Sequence, residues 1–241
     1  MTSALDRRAL ITGASSGIGR ATALAFAASG IDVALVSRSK SKLNAVAEEA
    51  RQFGVTAQVY AIDLADVEQV KPQIESVVAD FGAVDILVNN AGMGYTGTIE
   101  ETSLADWQQV INLNLTSVFQ CVQAMLPTLR MQRSGTIINV ASIAAHQAFP
   151  NWGAYCVSKF GLLALSKTLA AEERANGIRV VTVSPGSTNT SIWDTDTVQA
   201  EFDRSAMLTP DIVADAILQA ALMSDRAVVE ELILMPNAGT F

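Results

Sequence analysis

Seven short, continuous runs of apolar and largely β-branched residues recur along this chain, and a longer stretch with helical spacing follows most of them. The runs fall at residues 9–12, 32–37, 58–62, 85–89, 136–141, 179–184 and 231–235, and the helical stretches at 17–29, 40–53, 66–81, 103–131, 153–175 and 210–223. Strands that are apolar at consecutive positions, rather than every second one, belong to a sheet covered on both faces. The order β-α-β-α then requires a parallel sheet with right-handed crossovers. The expected fold class is therefore α/β, a doubly wound parallel sheet of about seven strands. No repeat, low-complexity tract or Pro/Gly/Ser linker interrupts the pattern, so residues 1–241 read as a single domain.

Composition narrows the classes of function. Hydrophobic residues make up 50% of the chain and charged residues 17%, which supplies a large core and argues against a disordered protein. A net charge of -8 offers no basic face for the phosphates of a nucleic acid. Two cysteines, Cys121 and Cys156, are too few for a disulfide framework and have no zinc-like spacing, and no metal site is expected. Residues 1–8 carry charges and run straight into a strand, without the apolar core of a signal peptide. No run reads as the ~20 predominantly apolar residues of a membrane span. No membrane and a cytoplasmic setting are the expectation.

One stretch departs from the alternation. Residues 185–209 form a long connection rich in Ser, Thr and Asp. In a doubly wound sheet it lies at the carboxyl ends of the strands, where ligands bind, and loops of that length often serve as lids over substrate.

The first strand ends in Thr12-Gly13-Ala14-Ser15-Ser16-Gly17-Ile18-Gly19, with a helix opening at the second glycine. Such a loop lets the backbone approach a pyrophosphate at the positive end of a helix, although a purely structural glycine turn has the same look. After the second strand comes Val36-Ser37-Arg38-Ser39-Lys40, without the carboxylate that usually accepts hydrogen bonds from the ribose of NAD. An arginine pairs instead with the 2′-phosphate of NADP, so Ser37 and Arg38 point to NADP(H), with Ser15, Ser39 or Lys40 as helpers. A solvated basic turn is the plainer alternative. Asp63, followed by Leu64 after the third strand, lies within reach of an adenine or caps the next helix.

Tyr155 and Lys159 are four apart in a helical segment and share a face. An ammonium at about 4 Å, with an effective dielectric of about 20, favours the phenolate by roughly 4 kcal/mol, or about three pKa units. That spacing arises often by chance. Ser142 adds weight, since it follows a strand, thirteen residues before Tyr155, where a hydroxyl can hold a substrate carbonyl. Serine also caps turns at such places.

Taken in order, Thr12–Gly19, Asn89-Asn90-Ala91-Gly92, Asn114, Ser142, Tyr155 with Lys159, and Pro185-Gly186 resemble the short-chain dehydrogenase/reductase family, in its compact single-domain branch. The resemblance spans nearly the whole chain. It implies a Rossmann-type sheet in the order 3-2-1-4-5-6-7, a nicotinamide cofactor and a catalytic tetrad of Asn114, Ser142, Tyr155 and Lys159. It implies that Ser142 orients the carbonyl and Tyr155 gives a proton to the developing alkoxide. Lys159 would hold the nicotinamide ribose, and Asn114 would anchor a water in the proton relay. Asn114 also reads as a buried amide satisfying helix backbone. The implied cofactor set comprises Gly13, Ser15, Ser16, Gly17, Ile18, Gly19, Ser37, Arg38, Asp63, Leu64, Asn90, Ala91, Gly92, Tyr155, Lys159, Pro185, Gly186, Thr188 and Thr190. Asn90 would support the adenosine, and 185–190 the nicotinamide amide and phosphate. A homotetramer or homodimer is implied too, through the helices that carry Asn114 and Tyr155.

The resulting expectation is an NADPH-dependent carbonyl reductase or alcohol dehydrogenase acting on a small-molecule ketone, aldehyde or alcohol. The alternative is a 3-oxoacyl-carrier-protein reductase, weakened by Val181 where those enzymes usually carry Asn and by a C-terminus without their paired glycines. An acidic chain also suits an acidic carrier protein poorly, with Arg130 and Arg133 the modest basic candidates. A catalytically silent NADPH sensor would normally have a broken tetrad. His146 falls between Ser142 and Tyr155 and is a weaker candidate for touching substrate, while Phe149, Trp152 and Trp193 are candidates for an apolar pocket. Cys156 and Cys121 read as packing.

Overall fold

The computed structural model describes residues 7–200 and 203–239. The charged lead-in at 1–6, two residues of the long connection (201–202) and the final pair (240–241) lie outside the described residues. The strands are β1 (Arg8–Thr12), β2 (Asp32–Ser37), β3 (Ala57–Ala61), β4 (Ile86–Asn89), β5 (Gly135–Val140), β6 (Ile178–Pro185) and β7 (Glu231–Leu234). They form one seven-stranded parallel sheet in the order β3-β2-β1-β4-β5-β6-β7. This is the doubly wound, Rossmann-type arrangement expected from the sequence.

The helices are α1 (Gly17–Ala28), α2 (Lys40–Arg51), α3 (Val67–Phe81), α4 (Leu104–Ile111), α5 (Ser117–Gln132), α6 (Gly153–Glu173) and α7 (Pro210–Ala221). They cover both faces of the sheet, which is why the central strands have no polar alternation. On one face Phe26, Leu43, Val213 and Ile217 from α1, α2 and α7 pack on Ile11, Val88 and Val181. On the other, Ile74, Met125, Leu129 and Leu162 from α3, α5 and α6 pack on Leu10, Leu87 and Ile137. Burying these side chains stabilises the fold by about 1.5–3 kcal/mol each.

The long helix expected over 103–131 is present and carries an irregularity. Between α4 and α5, residues Asn112–Thr116 form a π turn, and Asn114 at its centre is fully buried. A π turn shifts the register by one residue, and such turns recur at functional sites. Crossovers run outward from β1 to β3, then return to β4 on the other side of β1. The resulting switch point opens a crevice at the carboxyl ends of β1 and β4.

Candidate active site

A cavity of about 560 Å³ runs along the carboxyl ends of the strands, from the β2 end at Ser37 and Arg38 to the loop after β6 at Pro185–Trp193. It brings together Gly13, Ser15, Ser16, Gly17, Ile18, Asp63, Leu64, Asn90, Ala91, Gly92, Ser142, Tyr155, Lys159, Gly186, Thr188 and Thr190. Gly19 and Asn114, placed in the site by the sequence, stand behind the lining and shape it.

At the β1–β2 end the backbone is the scaffold. Gly13 has φ +65°, and a Cβ there would meet the Asn90 amide at 2.8 Å and Ala91 Cα at 2.9 Å. A Cβ on Gly19 would lie 2.3 Å from the Gly13 carbonyl oxygen, so that glycine allows the first turn of α1 to sit against the loop. Thr12 ties the loop to β4. Its hydroxyl accepts from Asn90 N at 3.0 Å and Ala91 N at 3.1 Å, and the Asn90 amide donates to Thr12 O at 3.1 Å. Asn90 thus braces the glycine turn, a task distinct from the adenosine support expected of it.

Arg38 is exposed, and among the described residues no ion pair engages it. Ser39 turns its hydroxyl to Ser41 at 3.3 Å, and neither Ser39 nor Lys40 lines the cavity. The Asp63 carboxylate accepts from Ala65 N at 3.0 Å, while Asp66 takes the N-cap position of α3. A helix N-terminus with a glycine turn against it, and a guanidinium at the far edge, could hold a dinucleotide carrying an extra phosphate.

At the β5–β6 end the construction relies on side chains. Ser142 follows β5, and its hydroxyl accepts from Ala144 N at 3.1 Å, capping a short 3-10 turn at Ile143–Ala145. Tyr155 and Lys159 project from the first turns of α6. Burial pushes the Tyr155 phenol above its usual value, and its hydrogen bond with Ser142 pulls the other way without prevailing. The downward shift expected from Lys159 is therefore not what the structure gives. Lys159 Nζ lies 5.7 Å from the Tyr155 ring centre and donates to Val140 O at 3.0 Å. Burial lowers Lys159 itself to about 8. Burying a charged group disfavours it, and here depth outweighs proximity.

Asn114 is satisfied on every side. Its Oδ1 accepts from Met93 N at 2.8 Å, and its Nδ2 donates to Met93 O at 3.0 Å and Ser158 Oγ at 3.1 Å. The π turn aims this amide inward, where it ties the 91–93 loop to the helix bearing Tyr155 and Lys159.

The described parts of the 185–209 connection are tied down by hydrogen bonds. Leu208 N donates to Ser187 O at 2.9 Å, Thr197 Oγ1 donates to Gly94 O at 2.8 Å, and Thr96 N donates to Thr197 O at 2.9 Å. Thr190 caps a 3-10 turn at Ser191–Asp194 and reaches over the glycine loop, its methyl 3.2 Å from where a Gly17 Cβ would stand.

His146 is not brought to the cavity. Its Nε2 lies 3.0 Å from Ser184 Oγ and 3.2 Å from Glu231 Oε1, on the side of β6 and β7. Cys121 and Cys156 are free and buried. The basic pair considered for a carrier protein is engaged, Arg130 with buried Glu173 and Arg133 with Ala175 O at 3.3 Å. The sequence reading missed Met93, Gln109, Leu113, Ile143 and Ile192, which also line the cavity. Apart from helical spacing at Gln109 and Leu113, nothing in the sequence marks them. Among the described residues no group of three or more His, Cys, Asp or Glu could hold a metal ion, and no helix is long and apolar enough to cross a membrane.

Comparison with known proteins places this geometry among relatives. The sequence model of the short chain dehydrogenase family matches residues 7–201. A sepiapterin reductase of Chlorobaculum tepidum is 35% identical over 239 residues, covering 95% of this chain and 96% of that protein. A 3-oxoacyl-acyl-carrier-protein reductase of Staphylococcus epidermidis is 41% identical over 183 residues, 76% of this chain and 75% of the relative. An alcohol dehydrogenase from the archaeon Thermococcus sibiricus, solved with 5-hydroxy-NADP, superposes with a TM-score of 0.88 at 31% identity, covering 96% of this chain and 97% of that one.

Proposed function

Because this chain belongs to the short-chain dehydrogenase family, we propose that it is an NADP(H)-dependent carbonyl reductase, interconverting neutral ketones or aldehydes and their alcohols. The observation that carries this reading is a single cavity with Arg38 and the glycine loop at one end and Ser142, Tyr155 and Lys159 at the other. NADPH, when bound, supplies the hydride that reduces the carbonyl carbon.

The remaining steps belong to the chain's own residues. The backbone at Ser15–Gly17 would hold the pyrophosphate, and Arg38 with Ser37 would pair with the 2′-phosphate. Ser142 Oγ accepts from Ala144 N, and its own hydrogen, directed at Tyr155, can turn to a carbonyl oxygen placed between the two hydroxyls. Tyr155 Oη gives that oxygen its proton as the alcohol forms. A phenol whose pKa burial has raised stays protonated at neutral pH, the form that reduction needs. Lys159 lies within the same wall as a cation for the ribose hydroxyls. Asn114 acts through Met93 and Ser158, fixing the loop and helix on which the other three depend.

A second reading, reduction of 3-oxoacyl thioesters on a carrier protein, is supported by the 41% identity to the Staphylococcus epidermidis enzyme. The engagement of Arg130 and Arg133 counts against it. The two separate in one assay: NADPH oxidation by the pure protein with an acetoacetyl thioester beside free ketones. Free ketones are expected to be preferred, and strong preference for the thioester would restore the carrier-protein role.

On the same reading the chain is one domain and cytoplasmic, consistent with its two free cysteines. It pairs as a homodimer or homotetramer through α5 and α6, which leave Phe119, Val157 and Phe160 more than 40% exposed in the lone chain.

A further inference from the structure

Three aromatic rings stand in a row at the substrate end of the cavity. Trp152 packs edge-on against Tyr155, with ring centres 5.4 Å apart at 68°, and against Trp193, 5.9 Å apart at 72°. Trp152 precedes α6, whereas Trp193 comes from the 3-10 turn of the long connection. That turn is fixed in place: the Trp193 indole N–H donates to Thr188 O at 2.8 Å, and Arg204 pairs with Asp194 at 2.5 Å. The wall is therefore preset. The charged side chains lining the cavity among the described residues are Arg38, Asp63 and Lys159, all assigned above to the cofactor end or the catalytic wall. The cavity lining beside them in sequence is uncharged: Phe149, Ser191, Ile192, Thr195 and Thr197. An ionic substituent would be desolvated there without a partner.

A carbonyl held by Ser142 and Tyr155 can lay a substituent along this row, which begins at Tyr155 itself. An alkyl chain gains only buried area from it, but a flat ring also gains the edge and offset contacts that indoles offer. We propose that Trp193, buttressed by Trp152, sets the substrate class: neutral ketones whose carbonyl bears a planar aromatic or heteroaromatic ring. This rests on the carbonyl-reductase reading above.

The test compares kcat/KM with NADPH for acetophenone and 2-octanone, ketones of equal carbon number, in the wild type, Trp193→Ala and Trp193→Phe. The wild type should favour acetophenone by about tenfold, the size of one good aromatic contact. Trp193→Ala should abolish most of that ratio, whatever its absolute loss, and Trp193→Phe should retain most of it. An unchanged ratio in Trp193→Ala overturns the inference and leaves the reductase reading standing. If Trp193→Ala does not fold, a wild type with no preference for the aryl ketone overturns it equally. NADPH oxidation with neither ketone, nor with any other free ketone, would remove the reading on which the inference rests.

Discussion

At the β1–β2 end of the cavity the backbone does the holding: Gly13 in the left-handed region, Gly19 against its carbonyl, and Thr12 lacing the turn to Asn90 and Ala91. At the β5–β6 end the walls are side chains drawn from four separate places. Ser142 follows β5, Trp152 and Tyr155 flank the start of α6, Met93 follows β4, and Trp193 and Ile192 come from the long connection. The difference teaches where change is tolerated. A backbone cradle needs particular residues at fixed spacing, because an added Cβ collides within the loop itself. A side-chain wall can be refaced by substitution without moving the scaffold. On the proposed reading the first end holds the adenosine and pyrophosphate of the cofactor, and the second, Lys159 apart, is free to define the substrate.

That division can be broken experimentally. Tyr155→Phe removes the proposed proton donor and should lower turnover by about 10²–10⁴-fold, measured as NADPH oxidation with a ketone. Substantial residual turnover would mean that another group supplies the proton. A smaller effect is expected at the opposite end. Arg38→Ala should raise KM for NADPH by about 10–100-fold, the worth of a charge-assisted pair, and change KM for NADH little. Equal changes for both would show that Arg38 does not read the 2′-phosphate.

The smallest effect concerns pH. Lys159 is lowered to about 8, so its ammonium is present below that value and lost above it. Tyr155 is shifted upward and stays a phenol throughout this range. The kcat/KM for ketone reduction reports the free enzyme, and it should fall by about tenfold from pH 7 to pH 9. A flat profile would take Lys159 out of the charged role.

The sequence was legible where physics imposes a period or a spacing. Continuous apolar runs placed all seven strands to within a residue or two, and the glycine loop and the Tyr155–Lys159 face emerged from spacing with the family resemblance. Other features left no such trace. Helical periodicity continues through 103–131, so the π turn that aims Asn114 inward shows only in its hydrogen bonds to Met93 and Ser158. The direction of the Tyr155 shift depends on burial depth, and no local pattern carries that. Met93 and Ile192 are apolar residues like dozens of others until the loops bring them to the cavity. His146, close in sequence to Ser142 and Tyr155, is drawn instead to Ser184 and Glu231 because the short turn after Ser142 faces β6 and β7.

The most direct test of separate ends is the NADPH affinity of Tyr155→Phe, titrated beside the wild type in the absence of substrate. The account predicts dissociation constants within about twofold of each other, since removing one hydroxyl at the substrate end leaves the glycine loop and Arg38 untouched. An affinity that collapses together with turnover would contradict it, because the Tyr155 hydroxyl itself would then be part of what holds the cofactor.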